Sequence, residues 1–218
     1  MGLERIRSGL LKVAGFLIPL VQSLPPLGIW GALMTVPFAS YLILIFSNLP
    51  THLPRALLDF FAPISVLEKI CIIGGFGLLV YSTVHLLRNR REGLVTSGPY
   101  RSVRHPQYLG MILLTLGLTS WSVWILNNTF GTGFLRPSQT IAVWFLELAA
   151  YIVLALIEER HLSKTYGEPF EDYKTRVPFL IPYLKTNRTG LDILCSIAVP
   201  AILLYGLLLL QTRVPIFL

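Results

Sequence analysis

Five stretches of the chain are nearly empty of charge, and they decide what it can fold into. No Asp, Glu, Lys or Arg occurs between Lys12 and Arg55, or between Arg104 and Arg136. Only His85 is titratable by charge between Lys69 and Arg88, only Glu147 interrupts the run from Arg136 to Glu158, and none lies between Asp192 and Arg213. A helix needs about 20 mostly apolar residues to cross a bilayer. Over 218 residues, 13% are charged and 54% are apolar, and mean hydropathy is +0.66. A soluble domain carries about 25% charged residues. The pattern excludes a soluble enzyme, a disordered chain and a disulfide-stapled module. No ten-residue alternation of an outer-membrane barrel is visible. The expected fold class is therefore an all-α integral membrane protein, with about five transmembrane helices plus a short N-terminal partial or interfacial helix.

The spans fall at about 28–47, 69–88, 107–126, 138–157 and 191–210. The Pro25-Pro26 pair interrupts the N-terminal run and leaves a short piece at about 10–24. We read that piece as retained rather than as a cleaved leader, because the apolar run continues past residue 40. Residues 48–68 read as a proline-broken loop with one surface helix, and 127–137 as a turn. Three regions follow: an N-terminal membrane region (1–68), a core (69–190) and a final helix (191–218).

The net charge of +7 is distributed as a topology signal rather than as a nucleic-acid surface. Arg88, Arg90, Arg91, Arg101 and Arg104 stand against Glu92 in the loop after the second span. Basic loops stay in the cytoplasm. Two spans separate that loop from 158–190, so both lie on the cytoplasmic side. The two cysteines, Cys71 and Cys195, fall inside spans and read as core thiols, and no metal-ligand spacing exists.

Most polar residues lie in these two segments. In Gly98-Pro99-Tyr100-Arg101-Ser102-Val103-Arg104-His105-Pro106-Gln107-Tyr108, Gly98-Pro99 is a turn and Pro106 suits the first position of the next helix. Arg104, His105 and that helix N-terminus make an expected anion pocket. The alternative is a basic loop that only meets anionic headgroups. In the second segment, Glu158-Glu159 closes a span, and adjacent carboxylates at a membrane boundary need solvent or a partner, for which Arg104 is the candidate. Glu147 lies eleven residues earlier, on the same helix face and about 16 Å away along the axis, with Tyr151 between. An ionisable group inside a span is a functional candidate, here an acceptor-pocket residue; the alternative is a hydrogen-bonded structural acid. Phe170, Tyr173 and Val177 recur at helical spacing and should face bilayer or bundle.

GPYRSVRHPQYLG, followed about 50 residues later by EERHLSKTYGEPFEDY, resembles the membrane methyltransferases related to isoprenylcysteine carboxyl methyltransferase and the phospholipid N-methyltransferases. The resemblance covers roughly 69–185. It implies S-adenosylmethionine at the cytoplasmic mouth of the bundle, within segments 88–108 and 157–185. By motif position, Gly98, Tyr100, Arg104, His105, Pro106 and Tyr108 would line the cofactor site from one side, and Glu158 and Glu159 from the other. Arg104, Glu158 and, more remotely, Glu147 are the implied catalytic residues. The acceptor would be lipophilic, an isoprenylcysteine carboxylate, a phospholipid amine or similar, arriving from the bilayer among membrane lipids. The KTYG and Val177-Pro178 run also resembles the sterol reductases, which implies NADPH and an alkene substrate as the alternative. A non-enzymatic lipid-binding protein is the second alternative.

Overall fold

The computed structural model describes residues 26–46, 66–128, 135–186 and 188–212. Six helices occupy them: α1 (Pro26–Phe46), α2 (Val66–Asn89), α3 (Pro106–Asn128), α4 (Pro137–Tyr166), α5 (Glu168–Arg176) and α6 (Thr189–Thr212). Two single 3₁₀ turns, Arg90–Glu92 and Gly98–Arg101, link α2 to α3. No strand occurs among the described residues. The all-α membrane architecture is as the charge gaps predict. α2, α3, α4 and α6 are long and apolar enough to cross a membrane, and α1 adds a shorter apolar stretch, Leu33–Ile45. The partial helix expected at 10–24, most of the loop at 48–68 with its surface helix, and the turn residues 129–134 lie outside the described residues.

Proline sets several helix starts. Pro26, Pro106 and Pro137 each occupy the first helical position, where a missing N–H leaves no bond unmade. Gln139 then accepts the Arg136 N–H at 2.8 Å and closes the α4 entry. The α4 span was expected to end at residue 157, but no stop residue occurs before Gly167. The helix therefore runs 30 residues, about 45 Å against a hydrocarbon layer of about 30 Å. Its last turns carry Glu158 to Tyr166 out of the apolar zone. Gly167, at φ 59°, ends α4 and starts α5.

α3 is the central helix and is buried over most of its length, whereas α2 and α6 expose apolar faces. α2 and α3 touch backbone to backbone. A methyl group on Gly75 would stand 2.5 Å from the Leu114 nitrogen, and one on Gly110 would stand 2.8 Å from the Gly75 carbonyl oxygen. Without water in the bilayer, such close packing of small residues replaces the hydrophobic drive. α1 is tied to the bundle by polar bonds. The Tyr41 hydroxyl donates to the Thr115 carbonyl at 2.9 Å, and Tyr151 donates to the Met34 carbonyl at 3.0 Å. The alternation of spans brings the end of α2, the start of α3, the end of α4, all of α5 and the start of α6 to one end of the bundle.

Candidate active site

The turn before α3 is built on α2. Gly98 has φ 59°, and a Cβ there would meet the His85 ring at 2.7 Å. His85 bonds the Ser97 hydroxyl at 3.0 Å and stacks on Tyr100, with ring centroids 6.4 Å apart. Tyr173 of α5 donates to the Tyr100 carbonyl at 2.6 Å. Burial pushes both phenols to higher pKa, so they stay neutral.

Behind this turn lies a buried ionic layer. Arg104 Nε is 2.7 Å from Glu159 Oε1. Its Nη1 donates to the carbonyls of Lys174 at 2.9 Å and Val177 at 3.2 Å. Its Nη2 lies 3.8 Å from Asp192 of α6, and the guanidinium sits 5.4 Å from the Phe179 ring centre. His105 stands between two carboxylates, with Nδ1 3.5 Å from Glu158 Oε2 and Nε2 3.3 Å from Glu159 Oε1. Burial alone lowers the imidazole pKa. The hydrogen bonds and charges of Glu158 and Glu159 outweigh it and hold the value above the ordinary one. Tyr108 packs on the same ring at 5.5 Å.

The sign of the pH effect follows. A group whose pKa is raised by folding adds stability that is complete below its unfolded value, about 6.5 for histidine, and lost as pH rises through the folded value. The difference in thermal midpoint between the native chain and a His105→Gln variant should therefore shrink from pH 6 to pH 9. A difference that stays constant or grows would mean that His105 is neutral in the fold.

In front of the layer is a cavity of about 300 Å³. Tyr100, Arg104, His105 and Glu158 line it, so four of the expected site residues converge there. Gly98, Pro106, Tyr108 and Glu159 are not on its wall. They support it: Gly98 seats the turn, Pro106 opens α3, Tyr108 backs His105, and Glu159 holds Arg104 and His105. Glu158 keeps 22% of its side chain exposed, against 5% for Glu159. Glu147 is buried in the bundle interior and does not line the cavity. The anion pocket expected of Arg104 and His105 is already filled by protein carboxylates. Arg104 donates through Nη1 to two carbonyls and lies in ion-pair contact with Glu159, so its geometry is that of a brace.

Sequence reasoning missed part of the wall. Arg90, Leu86 and Leu94 come from the end of α2 and the following turn, and His161, Leu162 and Thr165 from the extension of α4. Phe170 and Tyr173 of α5 complete it. Their spacing was legible, but their destination was not. With Val177 they form a buried cluster against Leu94, Leu162 and Tyr166, on the cavity side rather than toward lipid.

The description "Phospholipid methyltransferase" matches residues 57–169, just over half of the chain and nearly all of both motifs. The chain belongs to the phospholipid methyltransferase family. Over 108 residues it is 32% identical to protein-S-isoprenylcysteine O-methyltransferase B of Arabidopsis thaliana, covering 47% of this chain and 48% of that one. Over 126 residues it is 29% identical to methanethiol S-methyltransferase of Crocosphaera subtropica, covering 55% and 42%. It is 33% identical over 98 residues to protein-S-isoprenylcysteine O-methyltransferase of Rattus norvegicus, covering 45% and 30%. The chain thus spans half or less of the length of these curated relatives. No solved structure matches. The matched family segment ends at Pro169, so the α5 and α6 partners of Arg104 lie beyond it.

Proposed function

We propose that this chain is an S-adenosylmethionine-dependent methyltransferase that acts at the membrane on a lipophilic acceptor, with the cavity on the cytoplasmic side. The observation that carries the reading is the partly exposed Glu158 carboxylate in a cavity whose wall is mainly aromatic and aliphatic, with Arg90, Arg104, His105 and His161 as its basic members. Membership of a methyltransferase family supports it. The donor set fits the group. Glu158 suits the cationic end of the donor, exposed Arg90 suits its carboxylate, and Tyr100, Phe170, Leu94 and Leu162 suit its flat base. Bound S-adenosylmethionine supplies an electrophilic methyl group on a cationic sulfur.

The chain's own residues then have distinct tasks. His105, held between two carboxylates, fixes the orientation of Glu158. The aromatic wall excludes water, which strengthens the ionic contacts inside. Methyl transfer is an in-line displacement, so holding the reacting groups in line supplies most of the rate. For an acceptor that arrives as an amine or thiol, Glu158 takes the proton; a carboxylate acceptor has none to give. The arginines of the loop between α2 and α3 support the cytoplasmic placement.

Ligand binding to the full chain in detergent tests this reading. Saturable stabilisation by S-adenosylmethionine and its demethylated product is expected, about 2.7 kcal/mol at a hundredfold excess over Kd. NADPH should give none. Stabilisation by NADPH alone would overturn the proposal and turn the search to alkene substrates.

A further inference from the structure

α4 has a second working face. Glu158, Leu162 and Thr165 look into the cavity, while Arg160 and Lys164 follow Glu158 and Leu162 by two residues, about 200° around the helix. They line a separate groove of about 650 Å³ between α4, α5 and α6. Its lower part is apolar, with Val153 and Ile157 of α4 about half exposed and Ile193 of α6 beside them. Between Glu147 and Glu158 α4 carries no charge, so this part lies at hydrocarbon depth. One turn further on, Arg160, Lys164 and Lys174 form the upper part.

The charges there do not cancel. Glu159 also borders the groove, but its carboxylate is held by Arg104 at 2.7 Å from the other side. Glu171 is bonded by the Ser163 hydroxyl at 2.6 Å. Neither Arg160 nor Lys164 has an ion-pair partner among the described residues. Lys174 shares Glu159 with Arg104, and Arg160 and Lys164 add two positive charges against the exposed Glu171, directly above an apolar trough. The geometry points to this groove as a binding site for an anionic phospholipid, its phosphate on Arg160, Lys164 and Lys174 and an acyl chain along Val153, Ile157 and Ile193. Helix α4 and the Arg104–Glu159 pair stand between groove and cavity, so the occupant is a resident lipid and not an acceptor on its way in. Lys174 links the two sites, because its Nζ lies 3.5 Å from Glu159 Oε2.

The site does not depend on the methyl-transfer reading, and its test reads lipid retention rather than turnover. The full chain, purified in detergent, is offered phosphatidylglycerol and phosphatidylcholine of matched chains, and retained lipid is counted by native mass spectrometry. Phosphatidylglycerol should be held preferentially. Arg160→Gln/Lys164→Gln should lower its retention about 30-fold, and Lys164→Gln alone about fivefold. Lys185→Gln, an exposed cation outside the groove, should leave retention unchanged. Equal retention of the two lipids, an unaffected double variant, or an equal loss in Lys185→Gln would each overturn the proposal. So would displacement of phosphatidylglycerol by millimolar inorganic phosphate, since the acyl trough would then contribute nothing.

Discussion

Arg104→Leu is expected to destabilise the fold by about 3–5 kcal/mol, the range for breaking a buried ion pair from one side. Glu159 is 4% exposed and would keep only His105 and Lys174 as partners. The carbonyls of Lys174 and Val177 would lose their side-chain donor as well. The double replacement Arg104→Leu/Glu159→Leu should recover part of the loss, because Glu159 is no longer left as an uncompensated buried charge, while His105 keeps Glu158 and Asp192 keeps Thr186. Denaturant titration of the two variants and the native chain in detergent measures this. If Arg104→Leu keeps native stability and loses only cofactor affinity, Arg104 is a ligand contact and the brace assignment fails.

The brace also explains how elements outside the matched family segment become part of the site. The Arg104 side chain meets α4 at Glu159, the end of α5 through two carbonyls and α6 at Asp192, while its own N–H donates to the Pro178 carbonyl at 2.9 Å. Asp192 is in turn fixed by Thr186, whose hydroxyl donates to Oδ1 at 2.7 Å. One side chain thus gathers three elements around the entry to α3, and His105 inherits its position from that gathering.

The membrane helices were legible because absence of charge is a long-range signal that local sequence noise does not erase. The two polar segments could be joined because span parity puts them on one side. Less legible was everything decided by contact. The sequence places Glu158 and Glu159 side by side, yet adjacent helical residues point about 100° apart. One therefore opens to the cavity and the other turns back to Arg104. That split, and with it the bracing contacts of Arg104, depends on the carbonyls of Lys174 and Val177, whose positions no residue type announces. Phe170 and Tyr173 show the same limit: their spacing gives the helix, but Gly167 at φ 59° gives the direction in which it folds back. Glu147 keeps its oddity, a buried carboxyl at membrane depth, away from the cavity residues.

Glu158→Gln is expected to weaken S-adenosylmethionine binding by about 10- to 100-fold while leaving the fold nearly intact. The magnitude is that of one hydrogen bond to a charged group in a shielded site, about 1.5–3 kcal/mol. The fold should tolerate the change because glutamine fills the same volume, the side chain is partly exposed, and Glu159 continues to hold both Arg104 and His105. Arg90→Gln should give a smaller loss, since that residue is exposed and water competes for its ligand. Calorimetric titration with S-adenosylmethionine, run beside thermal denaturation of the same samples, separates the two effects. Native affinity in Glu158→Gln would remove Glu158 from the cofactor site. A large loss of stability with affinity retained would mean that the two glutamates form one structural unit. Only weakened binding on an intact fold fits a chain in which Glu159 builds the site and Glu158 serves it.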